Sequence, residues 1–243
     1  MTWAGTFVVG RGYAAYIGVP GDNAAHQHAA IQLTFTQGEL IEARDEQGRF
    51  TKAQKLFIPP LTQHALLAES DLVSLYIEPQ THLGRLLLEQ SGADSISAPV
   101  KFECLELDDC DTESLLTQLD ALTAKPSIEL DARLLEAMRL LDQADSNLKL
   151  SQVAKLCGMS VSRLRMLANR DLGLPLATWL IWRKLTRAVK ALTEKATLTE
   201  AAQVGGFSDQ AHLCRVTKRM FGITPKTAAS GLKWQTRGAA NAQ

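Results

Sequence analysis

The chain has 243 residues, of which 46% are hydrophobic and 21% are charged, with 26 basic and 26 acidic side chains. This composition is typical of a folded globular protein and argues against wholesale disorder. The sequence has no apolar run near the roughly 20 residues of a membrane-spanning helix, and its first residues lack the basic region and cleavage site of a signal peptide. Because the four cysteines include no Cys-x-x-Cys pair, we expect reduced thiols in a cytosolic protein with no membrane partner.

The charge is distributed unevenly along the chain. Residues 1–125 hold 8 Lys and Arg against 17 Asp and Glu, whereas residues 126–243 hold 18 against 9. A basic domain joined to an acidic one is typical of a nucleic-acid binder with a companion domain of another kind.

Residues 1–80 have the pattern of many short strands. Apolar and β-branched runs such as Ile31–Phe35 and Leu72–Ile77 are separated by turn clusters around Gly18, Gly38 and Gly48. Short strands at this spacing predict a small barrel or sandwich.

The pattern changes to helical periodicity over 81–92 and 112–123. Each segment begins at a threonine, Thr81 or Thr112, which we expect to cap its helix. One face of the second helix carries a stripe of leucines: Leu115, Leu116, Leu119 and Leu122. The stripe either packs against the barrel or forms a dimer seam, and the pattern alone does not decide between these interpretations. We assign 81–125 to a helical dimerisation segment, which ends at a linker around Lys125-Pro126-Ser127.

Two nearly matching segments, Leu150–Gly158 and Leu198–Gly206, indicate helix-turn-helix units. In each, a hydroxyl residue is predicted to cap a short helix, a small alanine allows a second helix to cross closely, and a glycine four residues later allows a tight turn. The predicted caps are Ser151 and Thr199 for the first helices and Ser160 and Ser208 for the basic helices that follow. Further helices are predicted over 131–141 and 176–193.

Residues 131–232 resemble the DNA-binding domain of the AraC/XylS family of transcription regulators. The matching segments are Val153-Ala154-x3-Gly158-Met159-Ser160-x3-Leu164-Arg165-x-Leu167, then Trp179-Leu180-x3-Lys184-Leu185-x2-Ala188, and Ala202-x3-Gly206-Phe207-Ser208-x4-Leu213-x-Arg215-x2-Lys218-x3-Gly222-x-Thr224-Pro225. The resemblance implies seven helices that carry two helix-turn-helix units joined by a long helix at 176–193.

The chain departs from the family pattern at several positions. The family usually has Phe at the positions of Ala168 and Thr217, Arg at Lys184, and Tyr-Arg at Ala228-Ala229. We expect the loss of two core aromatic side chains to loosen the packing behind both basic helices and to reduce DNA affinity.

Periodicity places one set of side chains on the outer face of each basic helix, and the resemblance assigns base contacts among them. The expected base contacts are Ser162, Arg165, Met166, Gln210, Cys214 and Arg215, and the expected phosphate contacts are Arg163, Arg170, Lys218 and Arg219. Arg is suited to guanine and Gln to adenine, whereas phosphate contacts position a helix without reading sequence. Each single Arg is also compatible with a solvated helix face.

His26-x-His28 followed by Gly38, and Pro59-Pro60-x3-His64, resemble the two short motifs of cupin barrels. In metal-binding cupins the histidines and a glutamate are the ligands, but here the glutamate position falls near Ile31 and Gln32. We therefore expect the effector pocket to contain His26, His28, Gln32 and His64, with no metal or other cofactor. A weak site of His26, His28 and His64 is the alternative.

The sequence thus predicts a two-domain α+β protein. We expect a cupin-like sensor over 1–80, the helical segment over 81–125 and an AraC-type DNA-binding domain over 126–235. Its partners would be double-stranded DNA, a small-molecule effector, a second copy of the chain and RNA polymerase, and it would have no catalytic residues. The alternatives are a metal-dependent cupin enzyme with a regulatory tail and a constitutive regulator whose barrel only dimerises.

Overall fold

The computed structural model describes residues 3–92, 94–98, 102–107, 111–125, 130–143, 148–229 and 231–237. The strands are β1 Ala4–Val9, β2 Tyr13–Val19, β3 Ile31–Phe35, β4 Ile41–Asp45, β5 Phe50–Ala53, β6 Lys55–Ile58, β7 His64–Leu67, β8 Leu72–Ile77 and β9 Leu232–Thr236. The helices are α1 His82–Ser91, α2 Thr112–Ala124, α3 Ala132–Asp142, α4 Leu150–Leu156, α5 Val161–Leu172, α6 Leu176–Thr193, α7 Leu198–Gly205, α8 Gln210–Phe221 and α9 Pro225–Ala229. Within these ranges, no helix is both long and apolar enough to cross a membrane.

The strands form two sheets. Strands β1 to β8 come from the N-terminal part of the chain, and β9 comes from its C-terminal part. The larger sheet has the order β6-β3-β8-β2-β1-β9 and the smaller one the order β5-β4-β7. Helices α3 to α9 form the C-terminal part, in which the long α6 lies in the chain between two pairs of short helices, α4–α5 and α7–α8. The predicted fold class, β-rich and then all-α with two helix-turn-helix units, is confirmed. The linker residues Pro126 and Ser127 lie outside the described part of the chain.

Strand β9 is the main departure from the predicted organisation. It runs parallel to β1, with Gly5 opposite Leu232 and Val9 opposite Thr236, whereas the other described strand pairs are antiparallel. The residue before β9 is Gly231. Any larger residue would clash there, because a Cβ atom would lie 1.8 Å from the Trp3 carbonyl oxygen. The segment assigned to the DNA-binding domain up to residue 235 therefore contributes a strand to the N-terminal sheet.

The leucine stripe of α2 faces the N-terminal core. Leu115, Leu116 and Leu119 are buried in one cluster with Leu83 and Leu87 of α1. Because these side chains are covered within the chain, with the half-buried Leu122 packed against them, the structure supports the packing interpretation. The homodimer itself stays a prediction.

Several helices begin at a residue other than the predicted cap. The observed N-caps are Asp111 for α2, Lys149 for α4, Ser160 for α5, Thr197 for α7 and Asp209 for α8. Of the four caps predicted for the helix-turn-helix units, Ser160 is confirmed. The predictions of Ser151, Thr199 and Ser208 were wrong. At α7 the reason is a capping box, since the Thr197 hydroxyl accepts from the N–H of Glu200 while the Glu200 carboxylate accepts from the N–H of Thr197. At α8 the Asp209 carboxylate accepts from the N–H of His212 at 2.6 Å.

Candidate nucleic-acid interface and buried histidine cluster

The turns of the two helix-turn-helix units have the backbone that the glycine pattern predicts. Gly158 has φ 66° and Gly206 has φ 75°, which is the left-handed region that favours glycine. Ala154 and Ala202 are each 1% exposed, as close crossing of the two helices requires. Lys184 of α6 donates to the Gly206 carbonyl at 2.8 Å and so holds the second turn. The sequence did not predict this contact.

Helix α5 presents the predicted residues outward. Its inward face consists of Leu164, Leu167 and Ala168, each fully buried. The expected base-contact residues Ser162, Arg165 and Met166 are exposed on the other side. The structure thus leaves all three side chains free of the core.

Helix α8 has the same organisation with one half-buried position. Leu213, Val216, Thr217 and Met220 are buried, while Gln210 and Arg215 are exposed and Cys214 is half-buried. The Gln210 amide oxygen accepts from the Thr199 hydroxyl at 3.3 Å, which links the start of α8 to α7.

The residues expected to hold phosphates fall into two groups. Arg163, Lys218 and Arg219 are exposed. Arg170 is instead paired with the buried Asp171 carboxylate, which also accepts from the backbone N–H of Asp131 at 3.2 Å. The Arg170 guanidinium lowers the pKa of Asp171. Arg170 is therefore held by a buried carboxylate, whereas the Arg163 guanidinium donates to the Met166 sulphur at 3.8 Å on the exposed face of the helix.

The three histidines of the N-terminal part converge, as the motif predicted. His26, His28 and His64 are 5%, 1% and 0% exposed, and each offers a ring nitrogen within 4.8 Å of the others. The Nδ1 atoms lie 2.9, 2.9 and 2.8 Å from the carbonyl oxygens of Ala24, Ala30 and Thr62 respectively. Since a carbonyl only accepts, each Nδ1 carries the proton and each neutral imidazole keeps its lone pair on Nε2.

Gln32 lies between two of these rings. Its side-chain oxygen is placed 2.9 Å from His28 Nε2 and 3.1 Å from His64 Nε2, and its NH2 group 2.8 Å from the Thr34 hydroxyl. An oxygen facing two unprotonated Nε2 atoms would bring lone pairs together. The chemistry therefore requires the amide turned over, so that its NH2 group donates to both rings and its oxygen accepts from the Thr34 hydroxyl. Thr34 in turn is 2.8 Å from the Ser74 hydroxyl. In this orientation Gln32 satisfies the Nε2 atoms of His28 and His64 within the protein.

Burial keeps the cluster uncharged. Desolvation, with a smaller contribution from His28, lowers the pKa of His26 to about 4. Burial likewise lowers the pKa of His28. It lowers the pKa of His64 well below the ordinary value, and the neighbouring rings of His26 and His28 lower it further.

The residues present fit a metal only in part. Three imidazoles whose Nδ1–H groups are held by carbonyls match the usual second shell of histidine ligands. The remaining nearby side chain is the neutral amide of Gln32, a weak ligand for a transition metal. The three histidines and Gln32 are at most 5% exposed, and their role as an effector pocket stays a prediction.

The cluster contacts the helical part directly. The His28 ring centroid lies 5.3 Å from that of Tyr76, 5.9 Å from Trp182 of α6 and 6.2 Å from Phe221 of α8. The Ala24 N–H also donates to the Gly222 carbonyl at the end of α8, at 3.2 Å. The histidines thus lie against both the long helix and the second basic helix, a relationship that no local sequence pattern indicates.

Comparison with known proteins agrees with this architecture. Residues 153–230 match a family model described as a helix-turn-helix domain. Over 120 residues the chain is 28% identical to the arabinose operon regulatory protein of Escherichia coli K12, a match that spans 48% of this chain and 41% of the relative. The chain therefore covers less than half of that relative's length.

Two solved structures of ToxT from Vibrio cholerae share the fold over most of both chains. The apo form of a variant has a TM-score of 0.59 at 10% identity, covering 90% of this chain and 97% of that one. A form bound to an unsaturated fatty acid has a TM-score of 0.55 at 8% identity, covering 96% and 98%. At these identities the likeness shows the fold alone.

Proposed function

We propose that the chain is a member of the AraC/XylS family and that it is a sequence-specific DNA-binding transcription regulator and not an enzyme. The observation that carries this proposal is the presentation of two exposed basic helices, α5 and α8, on one helical unit with a net positive charge. Each has an apolar inner face and a polar outer face, as a helix that enters a major groove requires.

The two helices would enter successive segments of the major groove, roughly 34 Å apart along one face of the duplex. Arg165 and Arg215 would read guanine, and Gln210 would read adenine, while Ser162, Met166 and Cys214 would complete the base contacts. Arg163, Lys218 and Arg219 would hold phosphates and fix the register of both helices. We keep Arg170 among the phosphate contacts, with Asp171 as its partner in the free protein.

We further propose that a small-molecule effector controls DNA binding. The support is the direct packing of the N-terminal part against α6 and α8, including the rings of His28, Trp182 and Phe221. A change in the sheet or the histidine cluster would therefore act on a DNA-contacting helix without a flexible linker. A ToxT structure that shares this fold binds an unsaturated fatty acid, which supports effector control.

The experiment that tests DNA binding uses the full chain. Binding sites are selected from random duplexes, and affinity for the selected site is measured against salt concentration. If six to eight phosphates are neutralised, log affinity should fall against log salt with a slope of about −5 to −7. Failure to enrich any site, or a slope near zero, would overturn the proposal.

A metal-dependent enzyme is the second candidate, because one ring nitrogen from each of His26, His28 and His64 lies within 4.8 Å of the other two. We expect protein prepared without chelator to contain well under one equivalent of transition metal, since Gln32 already satisfies two of the three rings. Stoichiometric zinc, manganese or iron that disappears in a triple substitution of His26, His28 and His64 by alanine would favour the enzyme instead.

A further inference from the structure

An apolar cavity of about 50 Å³ lies between the larger sheet and the helices of the DNA-binding part. Phe7 of β1 and Trp234 of β9 line it from the sheet, and Leu185 of α6 and Phe221 of α8 line it from the helices. Its volume exceeds the roughly 10–15 Å³ that a cavity needs to hold one water molecule. Both halves of the protein therefore contribute walls to one space.

Two small side chains line this cavity from the helices. Thr217 of α8 is 7% exposed and Ala228 of α9 is 5% exposed, and both contribute to its wall. A larger side chain at either position would occupy part of the space.

The chemistry of the lining defines the occupant. The residues around the cavity include no Lys, Arg, His, Asp or Glu. The Thr217 hydroxyl donates to the Leu213 carbonyl at 2.9 Å, so that donor is already used. A carboxylate or an ammonium group would lose its hydration here without gaining an ion pair, whereas an aromatic ring would gain contacts with the tryptophan, tyrosine and phenylalanine rings.

From these observations we propose that the cavity binds a small, uncharged aromatic molecule, which acts as the effector. The regulatory part of this inference rests on the proposed function, but binding itself does not. A ligand of one or two rings is larger than the present cavity, so α8 must shift relative to β1 and β9 when it enters. Because α8 also carries Gln210 and Arg215, such a shift changes the spacing between the two DNA-contacting helices.

The test uses N-phenyl-1-naphthylamine, an uncharged aromatic probe whose fluorescence rises in apolar sites. The full-length protein should bind it saturably with one site per chain. Thr217→Phe and Ala228→Phe, which fill the cavity, should each weaken binding by at least roughly tenfold. Thr217→Val keeps the volume, and Ala121→Phe adds the same ring on the exposed face of α2, so both controls should stay within about twofold of the parent.

Circular dichroism and the thermal midpoint show whether the filled variants fold. If they do not, Val189→Ala enlarges the cavity from its α6 wall and should tighten probe binding. Probe binding that none of these substitutions changes would overturn the inference. So would displacement of the probe by sodium myristate, because the occupant would then be a charged lipid. A failure of DNA binding by the parent protein contradicts the proposed function separately, since probe binding is measured without DNA.

Discussion

Glu78 and Arg183 are 105 residues apart in sequence, yet Oε1 of Glu78 lies 2.7 Å from Nη1 of Arg183. This ion pair joins the residue after β8 to the middle of α6, and the Glu78 side chain is only 5% exposed. Trp182 Nε1 donates to the same carboxylate oxygen at 3.3 Å, and Arg183 also pairs with Asp142 at the end of α3. Burial alone would lower the pKa of Arg183, but the carboxylates of Glu78 and Asp142 outweigh it and raise the pKa. The sheet and the helical part are thus held by a buried polar network as well as by apolar packing.

Glu78→Ala should destabilise the protein by about 3 kcal/mol, the lower end of the usual cost of breaking a buried pair, because Asp142 still neutralises Arg183. Urea unfolding followed by circular dichroism measures the change. Glu136→Ala breaks the exposed pair with Arg139 on α3 and should have little effect. Equal effects of the two substitutions would show that the Glu78 contact adds nothing to stability.

The helical half was predictable because its signals are local. Gly158, Gly206 and the apolar spacing of α5 and α8 fix turns and helix faces within about ten residues of one another. The convergence of His28 and His64 was also predictable, since two motifs of a known barrel carry them. By contrast, the pairing of Glu78 with Arg183 depends on the approach of segments that are distant in sequence.

Strand β9 was missed for a related reason. Leu232–Thr236 alternates between half-buried and exposed residues and has no apolar run, so its strand character depends on pairing with β1. The prediction of the α7 cap was wrong for another reason. Thr197 and Thr199 are both able to cap the helix, and the carboxylate of Glu200 selects Thr197 by accepting from its N–H. Thr197 lies one residue before the repeated segment Leu198–Gly206, so the repeat did not indicate it.

Docking of β9 should depend on Gly231. Gly231→Ala places a Cβ atom 1.8 Å from the Trp3 carbonyl oxygen, so the strand must shift away from β1. Amide hydrogen exchange should therefore become faster in Ala4–Val9 and in Leu232–Thr236. Gly38→Ala is the matched control, because a Cβ atom at that exposed position would be 3.8 Å from its nearest neighbours. Unchanged exchange in β1 would mean that the sheet does not need the pairing.

Arg165 and Arg215 should determine which DNA sequence is bound. Arg165→Ala and Arg215→Ala should each cost about 1–3 kcal/mol on the selected site and much less on random DNA. Lys218→Ala should weaken binding to both DNAs equally and reduce the salt slope by about one. Fluorescence anisotropy with the two duplexes measures these differences. A uniform loss in the arginine variants would reassign both residues to phosphate contacts.

Arg170→Ala should behave differently from the other phosphate-contact variants. It removes the partner of the Asp171 carboxylate, whose side chain is 6% exposed, so the thermal midpoint should fall along with DNA affinity. Lys218→Ala and Arg219→Ala change exposed residues and should leave the thermal midpoint nearly unchanged. An Arg170→Ala protein with unchanged stability and weaker DNA binding would assign the residue to phosphate contact alone.

The histidine cluster should make the protein less stable in mild acid. The pKa of His26 is about 4 in the folded protein, and those of His28 and His64 are also lowered, whereas each unfolded histidine has a pKa of about 6.5. Below about pH 6.5 the unfolded chain binds protons that the folded chain does not, so the stability present at neutral pH is lost as the pH falls toward 4. Each histidine contributes up to about 1.4 kcal/mol per pH unit to this slope.

Urea unfolding at intervals between pH 7.5 and 5 measures that slope directly. His28→Gln removes one titrating ring and should reduce the slope by up to about 1.4 kcal/mol per pH unit, whatever its effect on stability at neutral pH. His82→Gln, on the half-buried start of α1, is the control for loss of a histidine outside the cluster. Carboxylates contribute to the slope of all three proteins alike, so the difference between variants isolates the cluster. Parallel curves for the parent and His28→Gln would show that His28 is protonated as readily in the folded chain as in the unfolded one, and the neutral hydrogen-bonded network around Gln32 would then be wrong.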